Sequence, residues 1–176
     1  SSNISLVPSI KVRRQKFSRK KIKVVENRSN LKMKTISYNK IDAVESDYLY
    51  IETSQIPNSG NGLFTAIDIY KDEMIAVFKG EYLNEFQAKD IAEKGNDRYF
   101  LMMPDGSTLD SLHSDCFAKF ANDASINSET ILRNNSKIAF DDDGQVGLIA
   151  SRKIKSGEEI FCSYGKAYWN KWLKFL

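Results

Sequence analysis

The chain has 176 residues, 41% of them hydrophobic, with 26 basic and 23 acidic side chains and a formal charge of +3. That length suits one domain, with room for an arm, and the hydrophobic share is ordinary for a soluble globular protein. No apolar run approaches the roughly 20 residues that cross a bilayer as a helix. Cys116 and Cys162 form neither a CxxC pair nor a zinc spacing, which suits a reducing compartment, while a disulfide between them stays open on sequence alone. The small net charge hides an asymmetry. Residues 1–46 hold 12 Lys/Arg against 3 Asp/Glu, a local +9, whereas the remainder holds 14 against 20, a local −6.

Residues 1–46 therefore read as a basic N-terminal arm. Lys11 through Lys23 has few large apolar residues and no helical stripe, so self-repulsion favours a flexible or partner-ordered segment. Its chemistry suits nucleic-acid phosphates, with a solvated tail as the plain alternative. From Tyr48 the texture changes. Tyr48–Thr53, Leu63–Ile67 and Glu73–Phe78 read as short strands, with a turn cluster at Pro57–Gly62. Asn84 through Gly95 reads as the clearest helix: Asn84 can cap, Phe86, Ile91 and Ala92 are apolar, and Gly95 stops it. Tyr99–Met103 and Thr108–Asp110 follow as strands. Lys137–Phe140 and Val146–Ser151 flank Asp141–Gly144 as a hairpin, and Glu159–Cys162 is a last strand. The domain runs over 47–166, and 167–176 is an aromatic C-terminal flank. Many short strands with few helices predict a mainly β, β-rich α+β fold, not βαβ layers.

Several familiar chemistries lack support. Gly60-Asn61-Gly62 has neither GxGxxG nor GK[ST] around it, so nucleotide-phosphate binding is not expected. Asp141–Asp143 is better explained as a hairpin turn than as a metal site. His113 is the single histidine, and Ser-His-Asp or Cys-His catalysis has no motif here.

Six segments, in order across roughly residues 48–169, together resemble the SET-domain protein lysine methyltransferases. Gly60-Asn61-Gly62-Leu63 resembles the opening turn, in which missing side chains let main-chain groups approach the methionine part of S-adenosylmethionine. Val77–Glu81 is similar to the family's Glu-Tyr-x-Gly-Glu stretch, with Phe78 where many members have a tyrosine. Asp97–Phe100 resembles the strand that offers a second tyrosine, Tyr99, to the lysine channel. Phe120–Ser125 resembles the Phe-x-Asn-His-Ser motif: Asn122 matches the cofactor-binding asparagine, and Asp123 replaces the histidine. Asn134-Asn135 matches an asparagine pair downstream. Gly147–Gly165, with Gly157-Glu158-Glu159, is the strongest match and makes Tyr164 the catalytic tyrosine. Cys162 stands where a larger residue often tunes the number of methyl groups.

The resemblance implies a β-clip-like fold of small sheets with a threaded C-terminal pseudoknot, the Tyr164 segment passing beneath a loop near Asn122. It implies catalysis by Tyr164 and Tyr99, and cofactor binding by Gly60, Asn61, Gly62, Leu63, Asn122, Asp123, Tyr164 and Trp169. The substrate channel would be Phe78, Tyr99, Phe120 and Cys162. Tyr168, Trp169 and Trp172 would cover the cofactor or channel, or form a plain aromatic plug. The implied activity is S-adenosylmethionine-dependent lysine methylation of a histone tail or another basic protein, which the acidic domain suits. That places it in a nucleus if eukaryotic, otherwise in the cytoplasm or delivered to a host nucleus. The alternative is an inactive SET-like module that binds chromatin or peptide, with a nucleic-acid-binding arm.

Overall fold

The computed structural model describes residues 12–14, 20–25, 33–103, 105–126, 130–141 and 144–163. In chain order these form β1 (Arg13–Arg14), β2 (Lys20–Val25), β3 (Met33–Asp42), the single-turn helix α1 (Glu45–Tyr48), β4 (Leu49–Thr53), β5 (Asn61–Thr65) and β6 (Glu73–Val77). Then come β7 (Glu81–Leu83), α2 (Glu85–Glu93), β8 (Phe100–Met102), β9 (Thr108–Asp110), and 3-10 turns at Ala118–Phe120 and Ala124–Ile126. The last elements are β10 (Ser136–Asp141), β11 (Val146–Ala150) and β12 (Glu159–Ile160). Among the described residues the fold is mainly β, in three small sheets, as expected. Among the described residues no helix is long and apolar enough to cross a membrane.

The largest sheet runs β1-β3-β2-β10-β11-β6, and β3 also pairs with β6. Met33 to Tyr38 of β3 pair antiparallel with β2, while Asn39 and Lys40 run parallel to Glu73 and Met74 of β6. One strand thus joins both ends, and a five-strand ring closes with few free edges. The basic segment expected as an arm supplies three of these strands and does not lie wholly outside the domain. The reason is visible in Lys21-Ile22-Lys23-Val24, where charge alternates with β-branched residues at a period of two. A search for a helical stripe passes over it. Further along, Tyr38 and Ile41 are buried, so β3 joins the core.

Tyr48, expected to open a strand, instead closes α1. Its hydroxyl donates to the Ile75 carbonyl at 2.7 Å, and the Glu45 carboxylate accepts the Val77 N–H at 2.8 Å. Two side chains of one helical turn are therefore stitched to β6. Burial first, then the carboxylates of Glu45 and Glu73, push the Tyr48 hydroxyl far above the ordinary tyrosine range, so it remains a donor.

The helix α2 forms where its caps predict. Asn84 and Gln87 make a reciprocal capping box, and Gly95 follows at φ +75°. Its expected apolar face does not enter the core, however. Phe86 is 84% exposed, and no residue of α2 is buried. The other two sheets are β12-β5-β4 and β7-β9-β8. Leu63, Ile75, Leu148, Ile154 and Ile160 lie in one core shared between sheets.

The C-terminal segment is threaded. Asn122 bridges Phe161 and Ser136 bridges Cys162, both in parallel. The Cys162 N–H donates to the Asn122 carbonyl at 2.8 Å, while the Asn135 and Ser136 N–H groups both donate to the Phe161 carbonyl. Residues 161–162 therefore run between the 122 loop and the start of β10. The Tyr48–Ile75 bond gives a stability test. Tyr48→Phe should cost about 1–2 kcal/mol in denaturant unfolding, since the buried carbonyl loses its donor. Tyr50→Phe, which keeps its ring stacked on Phe64 at 5.6 Å, should cost little.

Candidate active site

The turn joining β4 to β5 supplies the glycine motif. Gly60 sits at φ +71°, where a side chain is strained, and a Cβ built there meets nothing within 4 Å. The main chain at Gly60 and Asn61 is thus open on one side. Gly62, by contrast, is buried beneath Glu159, and a Cβ there would overlap that carboxylate.

Glu159 is 2% exposed and ties its own strand to two distant segments. One oxygen accepts the Ser54 hydroxyl at 2.6 Å and the Asn122 carboxamide at 3.4 Å; the other accepts the Gln55 N–H at 2.6 Å. The Asn122 carboxamide also donates to the Asn61 carbonyl at 2.9 Å. Asn122, Asn61 and Gly62 are therefore brought to one place, with Leu63 paired to Ile160 beside them. The neighbouring Glu158 points elsewhere. Partial burial raises its carboxyl, but Arg152 at 3.0 Å and the Lys155 N–H outweigh that and hold it below the usual range.

Asp123 is also 2% exposed, yet its carboxylate serves the loop itself. It accepts the Ser125 N–H and hydroxyl at 2.9 and 2.6 Å and the Asn134 carboxamide at 2.9 Å. Asn134 in turn accepts the Ala124 N–H at 2.9 Å. Asn135 acts as a surrogate strand, accepting the Phe161 N–H and donating to the Glu159 carbonyl. Both asparagines of the pair thus brace the threaded segment.

The expected channel residues are divided. Tyr99 and Phe120 meet as a tilted pair, centroids 6.4 Å apart. Phe120 and Phe78 pack against the main core, and Cys162 is buried within it. Phe78 also lines a cleft of about 660 Å³ with Glu45, Lys79, Tyr82 and Phe117, which Tyr99 and Phe120 do not line. Tyr164 and Trp169 lie outside the described residues, as do Tyr168 and Trp172. Sequence reasoning missed Glu159 as the organising acid, along with Ser54. The available signal was an acid set against Ile160-Phe161, a position that needs donors.

Small β sheets, a C-terminal strand threaded beside an asparagine loop, and a GxG turn tied to both define a SET-type architecture. Residues 60–165 match the family model of the SET domain. The chain belongs to that family. Two similar curated proteins, from Saccharomyces cerevisiae and Eremothecium gossypii, are each named histone-lysine N-methyltransferase, H3 lysine-36 specific. They are 26% and 30% identical over 125 residues, which is 68% of this chain but 16% and 18% of theirs. The chain thus spans less than a fifth of the length of these relatives.

The two glycines separate conformation from crowding. Gly60→Ala should cost about 1–2 kcal/mol through its left-handed backbone. Gly62→Ala should cost at the upper end of the roughly 1–3 kcal/mol of overpacking, or more, because a held carboxylate is displaced. Thermal unfolding ranks them; equal losses would contradict the contact between Glu159 and β5.

Proposed function

We propose that this chain is an S-adenosylmethionine-dependent protein-lysine N-methyltransferase acting on a basic protein, with a histone tail as the first candidate. The observation that carries this reading is the junction of the GxG turn, Asn122 and the threaded strand through Glu159. It leaves open main chain at Gly60–Asn61, fastened by the Asn122 carboxamide, which is where the family resemblance places the cofactor. The residues fit such a group: the exposed turn at Gly60 and Asn61 stands beside the Asn122 carboxamide, with no side chain at Gly60 to fill the space. When bound, S-adenosylmethionine supplies an electrophilic methyl group on a sulfonium.

The chain's own task is to prepare the amine. A lysine ammonium has a free pKa of about 10.4 and no lone pair to attack with. Aromatic walls from Tyr99 and Phe120 would strip water from it and favour loss of its proton to solvent. No general base is then required. Tyr164 would orient the transferring group, and Tyr99 would shape the amine pocket, so that positioning supplies several kcal/mol. The names of the two relatives favour histone H3, and the acidic balance of residues 47–176 suits a basic tail. A histone substrate would place the protein in the nucleus.

The test is incubation with methyl-labelled S-adenosylmethionine and core histones, nucleosomes or cell extract. Label should appear on a specific lysine. Tyr164→Phe should lower transfer about 100-fold or more while leaving cofactor affinity nearly intact. Unchanged turnover in that variant removes Tyr164 from catalysis. Cofactor binding without transfer to any of these proteins would favour the inactive binding module.

A further inference from the structure

Lys119 is held in a way that simple surface exposure does not require. Its half-buried ammonium donates to the carbonyls of Ser111, Leu112 and Ser114 at 3.2, 3.2 and 2.9 Å. An ammonium has three N–H donors, and here each has an acceptor, so the charged form is the one bound. The same nitrogen lies 5.5 Å from the Tyr99 ring centroid and 5.3 Å from that of Phe120. Both distances suit cation–π attraction. The 111–114 loop, Tyr99 and Phe120 are therefore fastened around one fixed charge. Tyr99 also receives the Ser111 N–H on its carbonyl at 3.3 Å, which ties ring and loop together through the main chain.

We propose that Lys119 is a positioning residue for the amine pocket: its clamped ammonium sets the Tyr99–Phe120 ring pair and keeps a positive charge beside it, favouring a neutral amine over an ammonium. This rests on the methyltransferase reading above. A like charge disfavours a second cation nearby, so the incoming lysine loses its proton more readily. The other charged groups on the surrounding elements are Arg98, 5.5 Å from the Tyr99 ring, with Asp97 and Asp110, both buried, and Asp115. His113 is the remaining titratable side chain of that loop. Arg98 adds to the field and the aspartates oppose it. All are retained when only position 119 changes.

The experiment compares the full chain with Lys119→Arg, which keeps the charge, and with Lys119→Met and Lys119→Gln, which remove it. The rate of methyl transfer to histone H3 is followed from pH 6 to 10 at saturating histone and cofactor, so that the limb reports the bound amine, with folding checked by circular dichroism. In the neutral variants the acid limb should move up by about half to one pH unit, the size expected for one partly screened charge. Transfer at pH 7 then falls about 3- to 10-fold and recovers near the top of the range. The arginine variant should stay with the wild type. Aromatic NMR of the free protein gives a readout apart from activity: Tyr99 and Phe120 ring resonances should shift and sharpen in the neutral variants only.

An unmoved limb, an equal loss at every pH, or an arginine variant that shifts as far as methionine would each overturn the proposal while leaving the methyltransferase reading intact. Should Lys119→Met fail to fold, Lys119→Gln decides the same question, since its carboxamide still offers N–H donors to the loop. A wild type that binds cofactor and transfers no methyl group would overturn the enzymatic reading and this inference with it.

Discussion

The carboxylate of Glu159 is the constraint on which the site depends. Burying an ionised acid is costly unless its oxygens are met by donors. Here the donors are neutral and come from elsewhere in the chain: the Ser54 hydroxyl, the Gln55 N–H and the Asn122 carboxamide. Hydrogen bonds from a hydroxyl to a carboxylate are short and strong, which fits the 2.6 Å distance to Ser54. The acid therefore holds the β4–β5 turn, the 122 loop and β12 at one point. Gly62 is the complement of that arrangement, the position where β5 leaves space for the carboxylate.

The departures from the family pattern have a physical account. Asp123 introduces a buried charge where a histidine is usual, and the loop answers with two donors from Ser125 and one from Asn134. The exchange leaves that oxygen satisfied and draws the side chain into its own turn. Phe78 lacks the hydroxyl of a tyrosine, and it packs against the core while facing the cleft beside Glu45 and Lys79. Neither change disturbs the bridges that carry residues 161–162 past Asn122 and Ser136.

What was legible in the sequence was either local or carried by resemblance. The caps of α2 and the β10–β11 hairpin are written in adjacent residues, and both form where expected. The meeting of Gly60–Gly62 with Asn122 came only from motif order, since no local pattern relates residues so far apart. Harder cases were decided by distant partners. Tyr48 has strand propensity, but its bond to Ile75 holds it at the end of a helical turn, a tertiary contact overriding a weak local preference. Lys119 looks like any surface lysine until the carbonyls of residues 111–114 are folded around it. The strands β2 and β3 were masked by their own charge, which reads as a solvated tail unless the period of two is noticed.

The threading of residues 161–162 also governs the order in which the protein can be assembled. Synthesis proceeds from the N-terminus, so the ring strands β2, β3 and β6 and the 122 loop are made before the segment that passes between that loop and β10. Until Glu159 arrives, Ser54, Gln55 and Asn122 lack their common acceptor, and β5 lacks its partner β12. Such late, sequence-distant pairing costs loop-closure entropy before it is rewarded, which slows folding. The nascent chain would meanwhile present an open slot and an unpaired strand edge, the features that invite aggregation and chaperone capture. In this architecture the site is completed only when a segment made later reaches the ones it bridges, so competence to bind waits on the threading step.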